Sequence, residues 1–185
     1  MDKAFTVSLC NPDKDVYVTL AVPAEPWAVL DAWERLRPAP DTRVEWEIED
    51  YGEFPELFPA LASGEDFPAL NALAEKLAGL SGQERTAFEG LVRLQDGRPM
   101  EPGALTALAE QARHCHVVPE AAADASLGRF CAANGFIPEV ADVPAKVFEL
   151  LALQHLGRRH RQAERGIFTR HCSVATDASA EPTHS

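Results

Sequence analysis

The feature that most restricts the fold of this sequence is a strict alternation of apolar and acidic residues in the segment 44–49, Val-Glu-Trp-Glu-Ile-Glu. Successive side chains of a β-strand point to opposite faces, so a strand here buries its apolar side chains and exposes Glu45, Glu47 and Glu49. Neighbours on one face lie roughly 6.6–6.8 Å apart, from the rise per residue. Carboxylates in line at this spacing repel each other, and folding does not require them. The alternation therefore predicts a half-buried strand with a row of acids on its outer face.

The residues around this segment predict a ββαβ module with an antiparallel sheet over 1–60. The patterns favour three strands, at 4–9, 16–22 and 43–50. Turn residues at 11–13 predict that the first two strands form a hairpin. A helix is expected to begin at Pro26 and to end before Pro38. Its expected apolar face repeats every three residues, with Trp27, Leu30, Trp33 and Leu36.

The remainder of the chain is predicted to form a helical module over 61–100 and a mixed α/β module over 101–174. The helical module contains two helices, the first capped by Asp66 and the second beginning after Ser81. In the last module we expect a helix from Pro102, a strand at 116–118, a helix at 127–134, helical residues at 147–160 and a strand at 167–174. The tail 175–185 is small and polar, so we expect it to be disordered. The predicted fold class is α+β.

The charge of the chain is strongly negative and unevenly distributed. Its 29 acids and 17 basic residues give a formal net charge of −12. Residues 25–66 contain twelve acids and three arginines, a local net charge of −9, whereas residues 155–185 contain five arginines and three acids, a net charge of +2. A negative field repels nucleic acid and attracts basic surfaces, so we do not expect direct nucleic-acid binding. Plain solubility is the alternative explanation of the charge.

The four cysteines and the N-terminal segment favour a cytoplasmic protein. The cysteines are scattered without a paired spacing, which is typical of free thiols in a reducing compartment: Cys10, Cys115, Cys131 and Cys172. The N-terminal residues lack the basic flank and apolar run of a secretory signal. No apolar stretch is long enough to span a bilayer, so no membrane association is expected.

Signals of catalysis or metal binding are weak. The sequence contains none of the usual nucleophile, zinc-protease or phosphate-binding motifs, so neither an enzyme nor a cofactor is expected. His114, Cys115 and His116 are the one local cluster of metal-ligand types; a zinc site is the alternative there to an ordinary strand. The basic residues 158–161 are open to three interpretations: a nucleic-acid patch, a subunit interface, or pairing with acids of the same chain.

The acidic band is the best candidate for binding a partner. The spacing of carboxylates on the predicted strand is comparable to the distance between neighbouring phosphates along a nucleic-acid strand, whose winding path exceeds its axial rise of about 3.4 Å. Such a row can present the electrostatics of DNA to a basic groove. The candidate partner-binding acids are Glu45, Glu47, Glu49, Asp50, Glu53, Glu56, Glu65 and Asp66.

The sequence resembles the ArdA-type antirestriction proteins of plasmids and conjugative transposons. The segments that carry the resemblance follow one another in the family's order: 46–51 (WEIEDY), 67–74 (FPALNALA), 86–92 (TAFEGLV), 127–130 (LGRF), 134–139 (NGFIPE), 157–159 (GRR) and 166–170 (GIFTR). Each motif is weak alone, and together they cover nearly the whole chain apart from the tail. The basic residues 158–161 depart from a uniformly DNA-like surface.

The resemblance implies an elongated, usually dimeric protein of three small modules whose acidic surface mimics duplex DNA. Such proteins occupy the DNA-binding groove of type I restriction–modification enzymes. The expectation is therefore a non-catalytic inhibitor that forms a homodimer and binds the methyltransferase core of such an enzyme. Two alternatives remain open: an acidic adaptor or regulator of another DNA-targeting defence system, and a small hydrolase or metalloprotein that uses His114, Cys115 and His116.

Overall fold

A computed structural model of the protein describes residues 3–140, 144, 147, 151–170 and 172–176. Within these residues, helices accompany two antiparallel β-sheets, which confirms the predicted α+β class. The chain divides into two compact units. The first comprises Met1–Ser81 and Gln95–Glu110, and the second comprises Gly82–Leu94 and Gln111–Ser185. Each unit therefore takes residues from more than one of the modules predicted at 1–60, 61–100 and 101–174.

The first unit contains a four-stranded antiparallel sheet in the order β2-β1-β3-β4. Its strands are β1 (Phe5–Asn11), β2 (Val16–Val22), β3 (Glu45–Asp50) and β4 (Ser63–Gly64). β1 and β2 form the predicted hairpin, with Leu9 opposite Val18. β3 pairs with the other side of β1, so the predicted antiparallel ββαβ arrangement is confirmed. The two-residue strand β4 was not predicted from the sequence, since it is too short to show a periodic pattern.

Local sequence signals mark the starts of three of the four helices of the first unit, and the short α2 was not predicted. They are α1 (Pro26–Leu36), a short turn α2 (Leu57–Ala60), α3 (Phe67–Ala78) and α5 (Pro102–Gln111). Pro26 occupies the first turn of α1, where a missing N–H costs nothing. Asp66 caps α3 as predicted, because its Oδ1 accepts a hydrogen bond from the Ala69 N–H at 3.0 Å. Gly79 ends α3, its N–H donating to carbonyls of the last turn.

The core of the first unit lies on one face of this sheet. Alternate residues of β1 and β3 are buried there, including Phe5, Leu9 and Trp46, which is only 2% exposed. α1 and α3 both contact β2, and α3 contributes a fully buried stripe of Leu70, Leu73 and Leu77. Burial of each such side chain contributes roughly 1.5–3 kcal/mol to folding. The opposite face of the sheet is therefore not used for packing of this core.

The prediction that one apolar face of α1 is buried is wrong for the first half of the helix. Leu36 is buried and Trp33 is half-buried, but Trp27 is 72% exposed and Leu30 is 66% exposed. The reason is geometric. At 3.6 residues per turn, a repeat of three residues drifts by about 60° at each step, so Trp27 and Leu36 point to opposite sides of the helix. Only the C-terminal part of this repeat faces the sheet.

The second unit contains helices and a three-stranded antiparallel sheet in the order β5-β7-β6. Its helices are α4 (Gly82–Arg93), α6 (Asp124–Ala133) and α7 (Leu153–Ala163), with 3-10 turns at Ala112–His114 and Pro138–Val140. Its strands are β5 (Cys115–Pro119), β6 (Ile167–Phe168) and β7 (Cys172–Thr176). The predicted helices at 127–134 and 147–160 are observed as α6 and α7 with shifted bounds; residues 148–150 lie outside the described residues.

The single strand predicted at 167–174 is in fact a hairpin. β6 and β7 pair with each other, with Ile167 opposite Val174. The Cys172 N–H donates to the Thr169 Oγ1 at 3.2 Å, and the Thr169 N–H donates to the Cys172 carbonyl at 2.9 Å. A threonine hydroxyl thus closes a turn inside a segment that was predicted to be one continuous strand. Of the tail predicted to be disordered, Ala175 and Thr176 belong to β7, and 177–185 lie outside the described residues.

α6 and α7 cross through two glycines. A Cβ added at Gly128 would overlap the carbonyl oxygen of Leu153 in α7, and a Cβ added at Gly157 would overlap the carbonyl oxygen of Asp124 in α6. Each helix therefore lies against the backbone of the other at the position where its own side chain is absent.

The basic segment 158–161 pairs with acids of the same chain. Arg161 Nε lies 2.9 Å from Asp124 Oδ1, Arg158 Nε lies 3.5 Å from Asp124 Oδ2, and Arg159 pairs with Glu139 at 3.3 Å. The Arg161 guanidinium also lies 4.9 Å from the centre of the Phe168 ring. Of the three interpretations open from the sequence, the structure shows intrachain pairing. The two pairs with Asp124 reinforce the contact of α7 with α6.

We expect Asp124→Asn to destabilise the protein by about 1–2 kcal/mol at pH 7, a value reduced for the partial exposure of its arginine partners. The hydrogen bond from Arg161 lowers the pKa of Asp124, and Arg158 lowers it further. A depressed folded-state pKa contributes stability that is fully present above the unfolded value of about 3.9 and is lost as the pH falls through the folded value. Urea unfolding of the two proteins at pH 7 and below pH 4 should show a difference that shrinks in acid. Glu139→Gln, at an exposed pair, is the control and should change stability less; a difference that persists in acid would contradict the assignment.

Candidate partner-binding surface

The face of the first sheet opposite its core is polar and acidic. β1 places the half-buried Thr6, Ser8 and Cys10 on this face. The register of the sheet sets Cys10 between Tyr17 and Glu45, and sets Ser8 between Thr19 and Glu47. The side chains of β1 on this face are small, so the longer glutamate side chains of β3 extend farther from the sheet than they do. The sequence pattern predicted the glutamates, but only strand pairing shows what lies beside them.

The acids of β3 form a carboxylate row, defined here as Glu45, Glu47, Glu49 and Asp50. All four are exposed, and the residues that alternate with the glutamates are buried, as predicted. The row is not perfectly regular. Val7 pairs with Ile48 and Thr6 pairs with Asp50, so Glu49 has no residue opposite it in β1. Such a bulge sets two residues of one strand against one of its partner, which brings Glu49 and Asp50 together at one end of the row.

The three glutamates of the row have no partner among the described residues, because no side chain there forms an ion pair or hydrogen bond with them. Asp50 differs. Its carboxylate accepts a hydrogen bond from the Gly52 N–H at 2.9 Å and pairs with Lys3 Nζ at 3.1 Å. These contacts lower the pKa of Asp50, first through Gly52 and then through Lys3. Asp50 is thus fixed in place, whereas Glu45, Glu47 and Glu49 keep their full capacity for an external cation.

The other predicted acids lie around the row and are already engaged in part. Glu65 pairs with Arg43 Nη1 at 2.9 Å, and Asp66 caps α3. Glu53 is exposed and Glu56 is half-buried in the segment that follows β3. Glu65 nevertheless joins Glu45 and Glu47 at one shallow depression of about 520 Å³ on the open face of the sheet. The structure therefore brings three of the eight predicted acids together at a single depression.

Tyr17 is a residue of this surface that sequence reasoning missed. Its ring is exposed and lines the same depression as the glutamates. Hydrogen bonds with Cys10 and then with Asp15 raise the pKa of Tyr17 to about 12. The outward position of Tyr17 follows from the alternation in β2, but its place beside Cys10 and Glu45 depends on strand register.

Two aromatic residues near the row have structural roles. The Trp46 side chain belongs to the core, which agrees with the interpretation favoured from the sequence. The Tyr51 hydroxyl donates to the Leu61 carbonyl at 3.2 Å, and its ring meets that of Phe58 edge-on at 5.8 Å. Burial, followed by the charge of Glu47, raises the pKa of Tyr51. Tyr51 therefore supports the loop beyond β3, and its hydroxyl is already used.

His114, Cys115 and His116 do not form the arrangement that a zinc site on a strand would require. His114 ends a 3-10 turn, whereas Cys115 and His116 belong to β5, so the two histidines do not share a strand face. Burial raises the pKa of Cys115, which disfavours the thiolate that binds metal. Across the described ranges, no group of three or more His, Cys, Asp or Glu side chains is placed to hold a metal ion. Every helix in that same part of the chain is too short or too polar to cross a bilayer.

No protein-family model matches the chain, and no curated sequence is significantly similar to it. Among the described residues, the surface with the most specific chemistry is the carboxylate row with its three unpaired glutamates.

Proposed function

We propose that the protein is an antirestriction protein, an acidic DNA mimic that competitively occupies the DNA-binding groove of a type I restriction–modification enzyme. The observation that carries the proposal is the row of exposed glutamates that have no cationic partner among the described residues. In this mechanism the carboxylates replace phosphates in contacts with lysine and arginine side chains of the groove. The protein performs no catalysis and uses no cofactor, since occupancy alone blocks the target.

Electrostatics supports this use of the row. Two like charges about 6.6 Å apart repel by roughly 0.6 kcal/mol in water, so the row carries a modest cost in the free protein. A basic groove relieves that cost and adds attraction. The net charge of −12 also steers the protein toward a positive surface and away from DNA itself. The row thus favours binding of the protein to a DNA-binding enzyme over binding to DNA.

Not all predicted acids contribute equally in this proposal. Asp50, Glu65 and Asp66 already bind groups of the same chain, so they shape the surface more than they bind the partner. Glu45, Glu47 and Glu49 are the main contacts. As the family resemblance implies, we include a homodimer in the proposal, in which the rows of both copies belong to one longer acidic surface.

Duplex DNA is expected to displace the protein from an immobilised type I methyltransferase core. The two ligands would compete for the same basic groove, so the amount of protein retained on the methyltransferase core should fall as duplex DNA is added. Raising the salt from about 0.05 M to 0.2 M should weaken binding by roughly tenfold or more, because exposed charge pairs are screened. The measurement is a pull-down titration at both salt concentrations. If the amount of bound protein does not change when duplex DNA is added, mimicry is refuted and the alternative of an acidic adaptor is favoured.

A further inference from the structure

A second surface of the first unit is apolar and exposed in the part of the chain that the structure describes. Trp27 is 72% exposed and Leu30 is 66% exposed, and they lie one turn apart on α1. A tryptophan and a leucine left in water at neighbouring positions are typical of an interaction site, because tryptophan is the residue most enriched among strong interface contacts. The helix is anchored from its other side by Ala32 and Leu36, so these two side chains are free to contact a partner.

A groove lined by Leu30 lies between the N-terminal half of α1 and α3, and Trp27 lies one turn before Leu30 on α1. Its volume is about 640 Å³. Its apolar lining includes Val29 and Leu30 from α1 and Phe67 and Pro68 from α3. Phe67 is 3% exposed, and its ring packs against that of Trp33 with centroids 5.4 Å apart. The groove therefore has a firm aromatic base.

The walls of the groove are held by hydrogen bonds. The Ala24 N–H donates to the Asn71 Oδ1 at 2.8 Å, which ties the chain entering α1 to α3. The Asn71 Nδ2 in turn donates to Glu75 Oε1 at 3.3 Å. A preformed groove costs a ligand less ordering than a surface that must rearrange.

The rim of the groove is negative. Glu25 and Glu75 line it, and Asp31 and Glu34 are exposed on the same helix as Leu30. Two nearby basic side chains form ion pairs with other acids: Arg35 pairs with Asp31 at 3.8 Å, and Lys76 pairs with Glu110 at 3.0 Å. A second copy of this chain would bring a rim of the same sign, with acids facing acids. Charge complementarity instead favours an occupant with apolar residues on one face and basic residues on the other.

We propose that this groove binds a basic amphipathic helix of a protein partner, with Trp27 and Leu30 as the apolar contacts and Glu25 and Glu75 as the charged ones. The site is separate from the carboxylate row, since α1 packs on the core face of the sheet, where Asn11 Nδ2 donates to the Leu36 carbonyl, and the row lies on the other face. It gives the protein a second contact that recognises side-chain shape as well as charge. A DNA mimic alone does not need an exposed tryptophan.

The test uses a synthetic amphipathic helix of about five turns with leucines on one face and lysines on the other. Its dissociation constant for the full-length protein is measured by calorimetry. Trp27→Ala and, separately, Leu30→Lys are expected to weaken binding by about tenfold or more. Both residues are exposed, so the variants should keep the circular-dichroism spectrum of the parent. A peptide with glutamates in place of lysines, and one with alanines in place of leucines, should not bind.

Two control proteins separate this groove from general charge attraction. Phe58→Ala removes another aromatic residue, 64% exposed, and should bind the peptide as the parent does. The triple variant Glu45→Gln, Glu47→Gln and Glu49→Gln should also retain binding. Loss of binding in the triple variant, or unchanged binding in Trp27→Ala, would overturn the proposal. Concentration-dependent dimers that disappear in Trp27→Ala would overturn it as well, because a second copy would then occupy the groove.

Discussion

Gly157→Ala should destabilise the second unit by about 3 kcal/mol, a large effect for a single added methyl group. The added Cβ would overlap the carbonyl oxygen of Asp124, so α6 and α7 would have to move apart. A side chain can rotate away from a clash, whereas this contact is with backbone. Alanine favours a helix over glycine by about 1 kcal/mol, which is too little to offset the separation. Separation would also lengthen the pairs of Asp124 with Arg158 and Arg161.

Urea unfolding followed by circular dichroism checks this result. Gly103→Ala is the matched control, because it also lies in a helix and an added Cβ there meets no atom within 4 Å. It should leave stability unchanged or raise it slightly through helix propensity. Gly128→Ala should behave like Gly157→Ala, since its Cβ would overlap the Leu153 carbonyl. Equal unfolding midpoints for Gly157→Ala and Gly103→Ala would show that the crossing tolerates a methyl group.

Reversing the carboxylate row with Glu45→Lys, Glu47→Lys and Glu49→Lys should weaken inhibition of a type I enzyme on the order of a hundredfold, if each reversal costs about 1 kcal/mol. Each substitution removes an attraction to the basic groove and adds a repulsion. The fold should survive, because these side chains are exposed and form no ion pair with a described residue. The measurement is the concentration of protein that half-inhibits DNA cleavage, with circular dichroism as the check on folding.

A control variant with the same change in net charge tests whether position matters. Glu34→Lys, Asp41→Lys and Glu120→Lys replace three exposed acids that do not belong to the row. This variant should lose much less inhibition, since only the general steering of the protein is weakened. If both triple variants lose inhibition equally, then overall charge acts and the row has no special role. If neither loses it, the active surface lies elsewhere.

Local patterns predicted many of the elements that the structure contains. The hairpin of β1 and β2, the exposed glutamates of β3 and the Asp66 cap each depend on residues close together in the chain. Each of these signals involves a backbone periodicity or one hydrogen bond within a turn. The same kind of reasoning went wrong where a spacing was misjudged, as in α1, or where one hydroxyl closed a turn, as at Thr169.

The candidate site was predictable only in part. Alternation placed Glu45, Glu47 and Glu49 outside, but the bulge beside Glu49 arises from the pairing of β3 with β1. Tyr17 joins the same surface through β1, which lies between it and the glutamates. Strand order and register depend on the whole sheet, so no window of neighbouring residues contains that information.

The sequence by itself determined that the acids of β3 face outward, because the two-residue period of a strand is a property of the backbone. Only the tertiary structure decided which acids keep a free carboxylate. Asp50 meets Lys3 from 47 residues away, and Arg161 meets Asp124 from 37 residues away. It also decided that Trp27 stays exposed and that Gly128 and Gly157 meet other backbones. These outcomes depend on how distant segments pack, and packing is a property of the complete fold.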